Sequence, residues 1–145
     1  GAVIGPLCVT GEQAFPVLLG KTGRFFQPVV AAGNWEVGRV VAFGHTHAFL
    51  AEKALAAPDT RRFVINCLQW AGAGHAPLNV AVYRMPAFEQ WLREDPDARR
   101  IPIRVMHWTQ INPSFLPATH VLVLNSHDLS SDTIGLVRDF VRKGG

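Results

Sequence analysis

Cysteine is scarce in this chain of 145 residues, and what there is excludes cysteine chemistry of the common kinds. Cys8 and Cys67 do not lie in a Cys-x-x-Cys, and two cysteines make no disulfide framework. Both sit among apolar neighbours, where a small buried thiol is the ordinary role. Charge is sparse too, at 17% of residues against 48% apolar, which excludes a disordered chain. Long hydrophobic runs are missing: none approaches the roughly 18 residues of a membrane span. No basic segment followed by an apolar one opens the chain, so no signal peptide is visible. Arg61-Arg62, Arg99-Arg100 and Arg142-Lys143 are scattered and carry no interleaved aromatics. The net charge of +3 therefore reads as solvated faces, and no nucleic-acid partner is expected. A phosphate-cradling loop is absent as well. The glycines of Ala71–Pro77 precede a strand, whereas a dinucleotide fingerprint follows one and opens a helix. The length suits one domain with a proper core.

What is present divides in two. Leu7 to Thr10, Phe15 to Leu19, Phe25 to Ala31 and Val40 to Phe43 are short runs rich in Val, Leu and Phe. Gly11-Glu12, Gly20-Lys21-Thr22-Gly23 and Gly33-Asn34-Trp35-Glu36 separate them, and such breaks suit tight turns between antiparallel neighbours. Residues 1–50 thus read as a β-hairpin-rich part, with Pro16 and Pro28 at edges or strand starts. After residue 58 the period changes. Asp59 reads as an N-cap, Phe63, Val64, Cys67, Leu68 and Trp70-Ala71 follow at helical spacing, and Gly72 stops the run. Leu78 to Tyr83 is a strand. Pro86 opens a helix with Phe88, Trp91 and Leu92 on one face. Ile101 to Met106 and His120 to Leu124 are further strands, and Ser130 or Ser131 starts a last helix carrying Ile134, Val137 and Val141. Strands alternating with amphipathic helices over 59–145 predict a mostly parallel sheet with helices on its faces. The chain 1–145 is read as a single domain. Helix followed by Lys143-Gly144-Gly145 is the usual exit into a next strand, so it reads as a fragment of a larger protein.

The most chemically loaded tripeptide is His45-Thr46-His47, just past the run Val40–Phe43 and Gly44. Open α/β sheets place ligands at strand C-termini. On a strand, residues two apart share a face, so both imidazoles could ligate a metal, with Asp128 or His127 as a third group. The plainer reading has His45 ending the strand on loop backbone and His47 at the surface. Ser126-His127-Asp128 sets hydroxyl, imidazole and carboxylate side by side, but neighbours in sequence point apart and cannot form a triad. A strand-to-helix turn with Asp and Ser capping is the plainer account there. No Gly-x-Ser-x-Gly elbow is present. Trp70 and Trp91 lie at apolar helical positions and read as core. Trp35, in a turn, and Trp108, in a loop, are the two expected to face a partner.

The ordered pieces GPLCVTGEQAFPVLLG, VVAAGNWEVGRVVAFGHTHAFL, FVINCLQWAG and HVLVLNSHDLSSDTIGLVRDFVRKGG span nearly the whole chain. Together they resemble the amidotransferase-like domain near the N-terminus of the TRP channel-associated factors, proteins that also carry an enhancin-like metallopeptidase region. Residues 76–118 match only as a strand-helix-strand outline. The resemblance implies a flavodoxin-like three-layer sandwich of the class I glutamine amidotransferase type, with the antiparallel hairpin region at its N-terminus. That family's Gly-x-Cys-x-Gly elbow is absent around Cys8 and Cys67, and so is the peptidases' His-Glu-x-x-His. What is implied is a degenerate, non-catalytic accessory or protein-interaction domain. Its partner would be another domain of the same protein or another protein, with no cofactor. The setting would be cytoplasmic or membrane-peripheral if like the channel-associated factors, and secreted if like a bacterial enhancin-like peptidase. The candidate pocket is His45, His47, Ser126, His127 and Asp128. The competing expectation is a metal- or histidine-assisted hydrolase on His45, His47 and Asp128, and a third is polymer binding through Trp35 and Trp108.

Overall fold

A computed structural model describes residues 5–145. Its first half is an antiparallel sheet of β1 (Ala14–Thr22), β2 (Phe25–Trp35) and β3 (Gly38–Phe43), in that order. The turns follow the glycines and one strained residue. Gly23 has φ 61 between β1 and β2, and Glu36 has φ 56 in the tight β2–β3 connection. β3 pairs only with Val30–Trp35 of β2, so the rest of the β1–β2 ribbon projects as two strands without a third. The ladder of β1 is irregular on either side of Leu18, and Pro16 lies at the first irregularity, as its missing N–H requires. The expected strand at Leu7–Thr10 does not form. Among the described residues that segment makes one backbone hydrogen bond, from Leu7 N–H to Pro28 carbonyl at 2.8 Å, which is too few for a ladder.

Two short helices, α1 (Thr46–Phe49) and α2 (Glu52–Leu55), lead to α3 (Pro58–Ala71). Ala57, not Asp59, is the N-cap of α3. Pro58 takes the first helical position, where its absent N–H costs nothing, and Asp59 favours the first turn through the helix dipole. Then come β4 (Leu78–Tyr83), α4 (Pro86–Glu94), β5 (Ile103–Trp108), β6 (Val121–Val123) and α5 (Ser131–Arg142). β4 is parallel to β5 on one side and to β6 on the other, giving the order β5-β4-β6. Its residues Val80, Ala81 and Val82 are fully buried, as a strand covered on both faces demands. Ser130 caps α5, its hydroxyl accepting from Thr133 N–H at 3.3 Å.

One core joins the two halves. Val29, Val30, Phe49 and Leu50 from the first pack with Val64, Leu68, Val80, Val82 and Phe88 from the second. Each such side chain contributes about 1.5–3 kcal/mol when fully buried. Arg39 adds a polar tie from β3: its guanidinium donates to Trp70 carbonyl at 2.9 Å, at the C-terminal turn of α3, and lies 5.3 Å over the Trp70 ring. Gly38 lets β3 lie directly against α5, because any Cβ there would meet the Val141 carbonyl oxygen. The structure is thus mixed α/β, with an antiparallel sheet and a parallel sheet. Among the described residues no helix is long and apolar enough to cross a membrane.

Candidate functional site

The chain leaves β3 through Gly44, whose N–H donates to Val29 carbonyl at 2.9 Å. His45 is extended, with φ −160 and ψ 123, and caps α1. Its Nδ1 accepts the N–H of His47 at 3.1 Å. The two rings lie 5.4 Å apart between centroids. The pair therefore sits on a helix start and not on a strand, which corrects the expectation that the two imidazoles share a strand face. One ring nitrogen of His45 is already committed to backbone, while His47 is exposed. That is the strand-ending role of the plainer reading.

The second group follows β6. Asn125 Oδ1 accepts from His127 N–H at 3.3 Å and opens a single 3-10 turn, Ser126–Asp128. Ser126 and His127 are exposed, and the side chain of Asp128 lies outside the described residues. Phe43 precedes His45 by two residues, and Leu124 precedes Ser126 by two. Both line one groove, a cavity of about 200 Å³, but His45, His47, Ser126 and His127 themselves are not among its lining residues. Among the described residues no cluster of three or more His, Cys, Asp or Glu is placed to hold a metal ion.

The groove is apolar. β3 supplies Val40 and Val41, α3 supplies Val64 and Cys67, and α5 supplies Val137 and Phe140. Burial pushes the Cys67 thiol up to about 11, so it is protonated at neutral pH and a poor nucleophile. Cys8 is exposed. His120, Phe140 and Gly145 also line an adjoining cavity of about 490 Å³ with His75, Asp139 and Lys143. There His75 and His120 stack at 4.0 Å, and His120 Nδ1 accepts from Asn79 N–H at 3.1 Å. Burial foremost, then the charge of His75, holds the His120 imidazole below its ordinary value, against a backbone hydrogen bond at Pro77 that raises it.

The two expected surface tryptophans part company. Trp35 is 44% exposed in the β2–β3 turn. Trp108 is 5% exposed and packs with Ala81 and Tyr83, so it is not an interaction residue. Its neighbour in register is Tyr83, which makes it the last residue of β5 and not part of a loop. A two-tryptophan platform is not built.

Two features escaped sequence reasoning. Arg84 has φ 55 in the sharp turn between β4 and α4, the strand-to-helix position where hydrolase elbows carry a nucleophile. Tyr83-Arg84-Met85-Pro86 has no elbow glycines to signal it. Glu89 on α4 accepts from Arg93 at 3.0 Å and lies against His107 of β5. Burial alone would raise its carboxyl, but the hydrogen bonds from His107 and then Arg93, with their charges, outweigh that and hold it below the usual carboxylate range. Glu89 and His107 face each other only because α4 packs on β5.

Compared with protein-family models, curated proteins and solved structures, the chain matches none.

Proposed function

We propose that this domain is a non-catalytic accessory or protein-interaction module with a degenerate, amidotransferase-like, flavodoxin-like sandwich. On this reading it belongs to a larger channel-associated-factor-like or enhancin-like peptidase protein. Its partner is another domain of that protein or a separate protein. The observation that carries the reading is the β1–β2 arm. Val17, Leu18, Leu19, Phe25 and Phe26 are all exposed along it, and Phe25 and Phe26 near its tip are 73% and 64% exposed. Single exposed apolar residues are ordinary, but a contiguous ribbon of them marks an interaction surface. A free two-stranded ribbon is marginal in water, so a covering partner would stabilise it.

The remaining observations agree. In the α/β half the strand order is second-first-third, which is how the flavodoxin-like order 2-1-3-4-5 begins. Arginine at the elbow position and a protonated, half-buried Cys67 suit binding better than nucleophilic chemistry.

The test is photo-crosslinking in cells, with benzoyl-phenylalanine placed at Phe26 or, as control, at exposed Arg62. A discrete adduct from position 26 and none from 62 is expected. Adducts from neither position, or from both equally, would overturn the reading.

A further inference from the structure

β3 and β6 are edge strands of two different sheets, and both line the same apolar groove. Their backbone directions follow from the ladders. Gly44 N–H bonds Val29, so along β3 the even positions face β2, and Arg39, Val41 and Phe43 present N–H and C=O to the groove side. Leu78 N–H bonds Pro102 and Arg84 N–H bonds Trp108, so the even residues of β4 face β5 and its odd residues face β6. The parallel register Val80↔Val121, Ala81↔Leu122 and Val82↔Val123 then turns Val121 and Val123 toward β4 and Leu122 and Leu124 away from it. Among the described residues, the backbone groups of Val41, Phe43, Leu122 and Leu124 that face the groove side meet no hydrogen-bond partner. Those residues are half-buried, where unpaired backbone groups are costly.

From this we infer that the groove accepts one extended apolar segment of a partner polypeptide, which pairs with β3 along one edge and β6 along the other. Insertion would join the two sheets into one. Helices α3 and α5 line the groove with Val64, Leu68, Val137 and Val141, so they demand apolar side chains from the guest. The cavity, of about 200 Å³, exceeds the roughly 150 Å³ that accommodates a benzene ring, which is room for the guest's inward side chains and not for its whole chain. It also continues past the start of β6 into the second cavity through His120, Phe140 and Gly145. No strand of a second folded copy can supply the guest. An inserted strand needs both edges free, and each of β1–β6 is already paired along at least one edge. The recognition is strand addition, in which main-chain bonds give affinity and side-chain pockets give selectivity.

The probe is a fluorescein-labelled peptide with a core of alternating valine and isoleucine between lysine pairs. Two further versions carry N-methyl groups on the odd or on the even core residues. Binding by the parent, with slowed hydrogen exchange at the amides of Val41, Phe43, Leu122 and Leu124, is the expected result. Both N-methylated versions should bind at least tenfold more weakly, because an inserted strand uses both of its edges. Equal affinity for all three peptides overturns the inference, and so does sensitivity to only one methylation pattern. Protection confined to the β1–β2 arm, or protection arising from self-association without peptide, overturns it too. Leu122→Pro removes a groove-side N–H without cutting the β4 ladder and should abolish binding. The N-methyl comparison stands even where that variant fails to fold.

Discussion

Gly38 is the point at which the antiparallel sheet touches the last helix, and a single methyl tests that approach. A Cβ built there would lie 1.8 Å from the Val141 carbonyl oxygen and 2.7 Å from its carbon. The obstacle is helix backbone, which cannot rotate aside as a side chain does, so Gly38→Ala forces β3 and α5 apart by more than an ångström. Overpacking of this kind costs about 1–3 kcal/mol. For a chain of this size that is about 2–4 °C in Tm for each kcal/mol. Gly135→Ala, in the interior of α5 with nothing within 4 Å of the new methyl, is the matched control. Helix propensity predicts a gain of about 0.8–1.0 kcal/mol there. Urea unfolding followed by tryptophan fluorescence measures both. A Gly38→Ala variant within about 0.5 kcal/mol of the parent, the scatter of an ordinary surface change, would refute the β3–α5 approach. Since α5 forms one wall of the groove, the same variant should also weaken peptide binding.

Two further outcomes follow from the acid–base groups and thiols. His120 is held below its ordinary value of 6.5 and Glu89 below 4.5, so for both the unfolded state binds protons more readily. Stability should therefore fall as pH drops below about 6.5 and again below about 4.5. His120→Asn should flatten the first decline, and a urea midpoint that rises on acidification through that range would contradict the assignment. Thiol labelling with a disulfide reagent at pH 8 should modify Cys8 quickly and Cys67 only after denaturant is added, given a thiol pushed up to about 11. Rapid labelling of both cysteines in the folded protein would show that Cys67 is open.

Elements whose sequence signal is local were legible. Leu78–Tyr83 reads as a buried strand because it is a short apolar run ending at a turn, and Pro58 to Gly72 reads as a helix from its apolar spacing and its stop. Errors fell where a neighbour decides. Leu7–Thr10 has strand composition, but a strand needs a ladder, and its one backbone bond to β2 is Leu7 N–H to Pro28 carbonyl. Ile101–Met106 was expected to pair, yet pairing begins at Ile103, because Pro102 has no N–H and serves only as acceptor for Leu78. Trp108 reads as a loop residue in sequence and is covered only once β5 lies beside β4. The edges of β3 and β6, unpaired among the described residues, have no sequence signature, since hydropathy reports side chains and an edge is a property of backbone.

The His-x-His pair shows how one local pattern carries two geometries. On a continuing strand, Phe49 and Leu50 would point to opposite faces. Both are instead buried in the one core cluster, together with Leu55, and only a turn of helix beginning just after Gly44 places adjacent apolar residues on the same side. That helix start has unpaired N–H groups, and His45 is the residue positioned to accept one. Capping and metal ligation through Nδ1 are then exclusive uses of the same lone pair. A metal bound there would release the His47 N–H and loosen the turn that carries Phe49 into the core. The apolar residues after the pair, more than the histidines themselves, decide which chemistry this strand end can support.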